Sequence, residues 1–252
     1  MIHKEVMQKN LERKDTGKKD VLQWNMMQKK EVQKNGICGA IFDLDGVLLD
    51  SMAVWNDLGV RYLKKRGIQP EAGLSQILFS MSMEQGADYL KAKYQLPDTP
   101  QEILNGIEQM IRDFYFYEVQ PKEGAKELLQ FLQDQAVKMI AATSSPREHV
   151  TKALQRNGLY DYLQQIYTTG EVGVSKHEPV IYQLAADSLG TKPEETLVFE
   201  DSLYALKTAK NAGFRAIGVY HADGETDQEG VRQTGELYLT SLLEFRQYWM
   251  EQ

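Results

Sequence analysis

Asp43 and Asp45, in the run Asp43-Leu44-Asp45-Gly46, stand at the end of the apolar stretch Cys38-Gly39-Ala40-Ile41-Phe42. Strands disfavour Asp and Gly, and burying an unpaired carboxylate is costly, so the pair implies a bound cation or a reaction that uses both groups. A nucleophile beside a general acid/base is one such use. Two further apolar runs end in the same way, residues 137–142 in Thr143-Ser144-Ser145 and residues 196–199 in Glu200-Asp201-Ser202. Taken singly, Asp45 or Asp201 reads as a helix cap and Thr143 as the end of a turn. Their convergence on strand ends favours a site instead. Four acids at one crevice repel one another unless a cation sits among them, and an all-oxygen donor set suits Mg2+ better than Zn2+. Lys176, in the loop after the short run Ile166-Tyr167-Thr168-Thr169, supplies the positive group for an anionic substrate.

The elements that must position these residues follow from periodicity. Met52, Trp55, Leu58, Tyr62 and Leu63 keep helical spacing as far as Gly67. Ser82 with Gln85 forms a capping box for a helix through Tyr89 and Leu90. Thr99-Pro100-Gln101-Glu102 opens another, whose face is Ile103, Ile107, Ile111 and Phe114. Residues 52–118 thus read as an all-helical cap inserted after the first strand. From Pro121 onward helices alternate with apolar strands. Ala125, Leu128, Leu129 and Leu132 mark one helix; Val150, Ala153 and Leu154 begin another, closed by Asn157-Gly158; Ile181, Leu184, Ala185 and Leu189 mark a third. A fourth runs to Ala212-Gly213, before the strand Arg215-Ala216-Ile217-Gly218-Val219-Tyr220. Such alternation predicts an α/β fold with a Rossmann-like parallel sheet, residues 37–51 and 119–252 forming the core, and ligand chemistry at the carboxyl ends of the strands.

The composition narrows the function. A net charge of -7 over 252 residues argues against a nucleic-acid binder, which needs a basic face to displace counterions. A small anionic substrate remains compatible, because one bound metal reverses the local field. No stretch approaches the roughly 20 apolar residues of a membrane span, and no signal-peptide block opens the chain, so a cytoplasmic protein without membrane partners is expected. Residues 1–36 form a lysine-rich polar extension; a surface helix through Val21, Leu22 and Trp24 is the alternative. Cys38 reads as a small buried hydrophobe of the first strand, and His149, His177 and His221 as surface or loop residues.

The run Ile41-Phe42-Asp43-Leu44-Asp45-Gly46-Val47-Leu48-Leu49-Asp50-Ser51, with Thr143, Lys176 and Glu200-Asp201 following in order, resembles the haloacid dehalogenase superfamily, and within it the phosphatases and beta-phosphoglucomutase-like enzymes with a small helical cap. The resemblance covers residues 38 to about 240. It implies a phosphatase in which Asp43 is the nucleophile and forms an aspartyl phosphate, while Asp45 protonates the leaving oxygen and then activates water. It further implies that Thr143, Ser144 and Lys176 bind the substrate phosphate, and that Mg2+ is held by Asp43, the Asp45 carbonyl, Asp201 and Glu200. The expected substrate is a small phosphorylated metabolite, a sugar phosphate being one such, and the expected state a monomer or weak dimer. Mutases of this family carry a cap arginine after a serine and a histidine soon after the first motif; here those positions are Met83 and Trp55, which favours hydrolysis. A mutase, and a silent binding module of the same fold, are the alternatives. Two departures stand out. The usual Lys-Pro-x-Pro followed by an acid is Lys176-His177-Glu178-Pro179-Val180, and Ala205 replaces a glycine, a change that a helical position tolerates but a positive φ resists. Trp55, Met81, Met83 and Phe114-Tyr115-Phe116-Tyr117 either line an apolar pocket or pack within the cap, packing being the simpler use.

Overall fold

A computed structural model describes residues 36–79 and 81–251. The first strand, β1 (Gly39–Phe42), is followed by helices α1 (Met52–Asn56), α2 (Leu58–Lys65), α3 (Leu74–Phe79), α4 (Met83–Tyr94) and α5 (Pro100–Asp113), the last running into a π-helical turn at Phe114–Glu118. Then come α6 (Ala125–Asp134), β2 (Lys138–Thr143), α7 (Arg147–Arg156), β3 (Ile166–Thr168), α8 (Thr169–Val172), α9 (Val180–Leu189) and β4 (Thr196–Glu200). The chain closes with α10 (Leu203–Asn211), β5 (Arg215–Val219), α11 (Gln228–Thr234), β6 (Leu237–Leu239) and α12 (Phe245–Glu251).

The six strands form one sheet in the order β3-β2-β1-β4-β5-β6, and every pairing is parallel. Alternate side chains serve opposite faces. Ala40, Phe42, Ala141, Leu197 and Phe199 join the core on one side, while Ile41, Ile140, Ala142 and Val198 pack on the other with Ile181, Tyr182 and Ala185 of α9. Both faces are therefore covered, as a parallel sheet requires. β1 lies between β2 and β4, with Phe42 level with Ala141 and with Phe199. The residues just beyond this row emerge together at one edge, which is how Asp43, Thr143 and Glu200 come to share a crevice. The sixth strand and the α11 and α12 helices are short and only partly apolar, so their sequences carry no clear period.

The capping boxes at Ser82/Gln85 and Thr99/Glu102 both form, and Ile103, Ile107, Ile111 and Phe114 are buried. Three expectations need correction. The helical run from Met52 is interrupted at Asp57, whose carboxylate accepts a hydrogen bond from Ser75 Oγ at 3.0 Å, so two short helices replace one. Cys38 is half-exposed and lies one residue before β1, its backbone tied to Glu195 and Lys138 at the rim of the sheet. His149 lies on α7 and is half-buried against Tyr115, while His221 keeps to a loop but is buried there, donating from Nε2 to Asp50 at 2.9 Å as its Nδ1 accepts from the Asp223 amide. The lysine-rich extension and the Val21-Leu22-Trp24 alternative lie outside the described residues. Among the described residues no helix is long and apolar enough to cross a membrane.

Candidate active site

Asp43 extends the ladder of β1 by one residue, its amide donating to the Phe199 carbonyl at 3.0 Å. Its carboxylate Oδ1 lies 2.6 Å from Lys176 Nζ, which also reaches Glu200 Oε1 at 2.8 Å. Lys176 is 2% exposed and Glu200 fully buried, so this ammonium is shared between two carboxylates out of contact with water. Tyr182 donates a second bond to the same Glu200 oxygen at 2.7 Å, which leaves Oε2 buried and without a hydrogen-bond partner. Asp201, Asp43 and Glu200 each offer one carboxylate oxygen, and these three lie within 4.8 Å of one another.

Asp45 is held differently. Its Oδ1 accepts from Ser51 Oγ at 2.6 Å and Tyr115 Oη at 2.5 Å, and its Oδ2 accepts from Ser145 Oγ at 2.6 Å. The two aspartates are thus distinguished by their partners, one facing an ammonium and buried acids, the other gripped by hydroxyls. Gly46, directly after Asp45, makes the turn that follows the pair, with φ at +77°, and Lys122 Nζ braces its carbonyl at 2.6 Å. Thr143 is buried and its Oγ1 accepts from the Ser145 amide at 3.1 Å, while Ser144 is exposed. Asp43, Asp45, Ser144, Lys176 and Asp201 line one cavity, walled on its apolar side by Met52, Trp55, Pro146 and Tyr204.

Of the sequence-predicted site residues, Asp43, Asp45, Ser144, Lys176 and Asp201 line this cavity, while Glu200 is fully buried behind Lys176 and Thr143 is fully buried with its hydroxyl bonded to the Ser145 amide. The haloacid dehalogenase-like hydrolase family matches the chain over residues 40–219. The chain belongs to that family. It is 27% identical over 183 residues to the phosphorylated carbohydrates phosphatase of Thermotoga maritima, covering 72% of this chain and 85% of that one. Hexitol phosphatase B of Escherichia coli is 25% identical over 217 residues, covering 82% and 94%. Among solved structures, a Thermotoga maritima protein provisionally named a beta-phosphoglucomutase superposes with a TM-score of 0.74 and 25% identity, covering 85% of this chain and 99% of that one.

The departures from the family pattern are accommodated. Ala205 is buried inside α10 and has no positive φ, so its methyl group meets no backbone strain. His177, where the family has proline, stacks on Tyr204 with ring centroids 4.3 Å apart, and the Glu178 amide donates to the Ser175 carbonyl. Lys176 reaches Asp43 at 2.6 Å without the proline.

Electrostatics set this dehalogenase-like site apart from its surroundings. Burial raises the Asp43 carboxyl well above the ordinary range; Lys176 opposes that rise, and Glu200 and Asp201 reinforce it. Burial and Glu200 push Asp201 up to about 7, against the pull of Lys176 and Lys122. Burial would lower Lys176, but Asp43 and Glu200 outweigh it and hold the ammonium above its usual value. One buried ammonium cannot balance this many acids, and the surplus negative charge is what a divalent cation would relieve.

Sequence reasoning missed Tyr115, Tyr182 and Lys122, and gave Ser51 and Ser145 no individual role. Tyr115 and Tyr182 sit within apolar patterns that read as core, and both are indeed buried; only their hydroxyls belong to the site. Lys122 follows Pro121 at the return to the core, a position whose sequence context looks like any exposed turn.

Proposed function

We propose that the protein is a Mg2+-dependent phosphatase of small phosphorylated metabolites, acting through an aspartyl phosphate beneath a cap formed by residues 52–118. The observation that carries this reading is the pairing of a buried Asp43–Lys176–Glu200 cluster with a second, hydroxyl-held carboxylate, Asp45, at one cavity. A binding module has no use for two carboxylates in such different settings.

The donor set fits the metal. Asp43, Asp201 and the unpartnered Oε2 of Glu200, with the Asp45 carbonyl, would hold Mg2+ in an all-oxygen environment. When bound, Mg2+ supplies positive charge to the phosphoryl oxygens. Lys176, the Thr143 hydroxyl and loop amides near Ser144 bind and orient the remaining oxygens. The Asp43 carboxylate attacks phosphorus, the bond to the leaving oxygen breaks, and the proton held by Asp45 passes to that oxygen. Water then enters; Asp45, now ionised, takes its proton as the hydroxide attacks the phosphoryl group, releasing inorganic phosphate and the Asp43 carboxylate. A carboxylate two positions after the nucleophile is what both half-reactions need.

Hydrolysis is favoured over mutase chemistry by the cap. Trp55 lines the cavity and is 39% exposed, and Met83 is 42% exposed on α4; neither offers a cation to a second phosphate. The test is phosphate release from a panel of sugar, polyol and nucleoside phosphates with and without Mg2+, using Asp43→Asn as the control. Metal-dependent release that disappears in Asp43→Asn is expected. Wild-type rates from the purified mutant would refute the nucleophile, and interconversion of sugar phosphates without release would favour the mutase.

A further inference from the structure

Resting on that phosphatase reading, we infer that the Tyr115 hydroxyl is a positioning group that aims the Asp45 carboxyl at the leaving oxygen and ties this aim to the helical insert. The geometry is specific. Tyr115 is fully buried, its Oη 2.5 Å from Asp45 Oδ1 and 3.3 Å from Ser145 Oγ. Its ring is fixed on both sides, His149 stacked at 5.6 Å and Phe114 edge-on at 5.7 Å, so the hydroxyl has little freedom to swing away.

The position of Tyr115 in the chain gives the contact its meaning. It lies in the π-helical turn where the insert returns to the core, and Ser51, the other donor to Oδ1, immediately precedes α1 where the insert departs. Among the described residues the donor to Oδ2 is Ser145, which belongs to the core itself. Asp45 is therefore gripped by both junctions of the insert through one oxygen and by the sheet through the other. Tyr115 lies within the insert and Ser51 at its boundary with the core, so a movement of the insert about these junctions bears on both Oδ1 donors. Ile103, Ile107 and Ile111 line one face of α5, and Tyr115, four residues further on, continues that row into the π-turn at the boundary with the core.

In the first half-reaction the Asp43–phosphorus bond forms, the phosphorus–leaving oxygen bond breaks, and the Asp45 proton moves to the departing oxygen. Tyr115 neither gives nor takes a proton in this balance. Its hydroxyl fixes where that proton points, which matters in proportion to how badly the leaving group needs it.

The experiment compares Tyr115→Phe with wild type, in Mg2+, on glycerol 2-phosphate and on 2,4-dinitrophenyl phosphate, reading kcat/KM, which covers steps only through the first bond cleavage. Loss of one hydrogen bond to a carboxyl that gains its charge as the proton leaves should lower kcat/KM for the alkyl ester by roughly 10- to 100-fold. The dinitrophenyl ester, whose phenolate leaves without a proton, should fall by less than about threefold. An equal fall for both esters would mean that Tyr115 only supports packing, and no fall for either would mean that it does nothing for Asp45; each overturns the inference. Ser145→Ala, which removes the opposite donor, must show the same split between esters, and serves if Tyr115→Phe does not fold. Wild-type protein that releases no phosphate from either ester, nor from the metabolite panel, would sink the phosphatase reading itself and this inference with it.

Discussion

Gly46→Ala is the sharpest probe of the proposed metal site, because it adds one methyl group and removes no donor. A Cβ on residue 46 would stand 2.1 Å from Asp201 Oδ2 and 2.8 Å from its Cγ. Ordinary contact begins at 3.4 Å, so the Asp201 carboxylate must retreat by about 1.3 Å or the turn must open. Metal–oxygen distances in working sites are set within about 0.2 Å, so a displacement of that size takes Asp201 out of the coordination sphere. Displacements of supporting groups cost about 10- to 100-fold in metal affinity, and the loss of a ligand should reach the upper end. Residue 46 also has φ at +77°, where an L side chain adds about 1–2 kcal/mol of strain. For a chain of this length that corresponds to a fall in Tm of roughly 2–8 °C. The assay is Mg2+ titration of both proteins by calorimetry and by phosphate release, with a thermal melt to establish folding. A folded Gly46→Ala protein whose Mg2+ half-saturation stays within about twofold of wild type would refute the placement of Asp201 at the metal.

Lys176→Met should be destabilised by about 3–5 kcal/mol, since it strands Asp43 and Glu200 without their shared ammonium; differential scanning calorimetry reads this, and an unchanged melt would show that the cluster is already neutral. Metal-free protein should become more stable as pH falls through about 7 towards 4, because Asp201, raised from 3.8 to about 7 by burial and Glu200, binds its proton in the folded state before the unfolded chain does. Melts at pH 5.5 and 7.5 without Mg2+ check the sign. Over the same range Mg2+ competes with that proton, so apparent affinity should drop by up to about tenfold per pH unit below 7, and a pH-independent affinity would contradict the assignment. Trp55→Ala and Tyr204→Ala, which remove the exposed aromatic walls of the cavity, should raise KM several-fold while leaving the pre-steady-state phosphorylation of Asp43 at saturating substrate nearly unchanged. A collapse of that rate with KM intact would place the rings in the chemistry instead.

How much of this was legible in the sequence depended on whether the signal was local. Asp43 and Asp45 could be read because an apolar strand ends abruptly in acids, and Thr99-Pro100-Gln101-Glu102 because a capping box spans only four residues. Lys176 was found from its place in an order of motifs, although its contact with Asp43 crosses the whole first half of the sheet. Tyr115 could not be read this way. The run Phe114-Tyr115-Phe116-Tyr117 looks equally apolar at every position, and the fact that Tyr115 meets Asp45 while Tyr117 is exposed leaves no mark in residue type. The burial of His221 leaves no local mark for a related reason, because its partner Asp50 lies 171 residues away along the chain and only the finished sheet brings them together. The break at Asp57 depends on Ser75, again a tertiary partner.

The strand order has a consequence for how the molecule comes into being. The inserted helices lean on sequence neighbours and carry their own capping boxes, so their contacts close over short loops. By contrast, Gly39 of β1 pairs with Thr196 of β4, a closure that encloses most of the chain. Loop entropy and contact order both place such pairing late in folding. Asp43 and Glu200 are therefore strangers for most of the folding reaction and meet only when the central strands zip, which makes the last step the one that gathers the mutually repelling acids. The insert can form on its own timetable, whereas the catalytic charge exists as a unit only in the nearly finished protein.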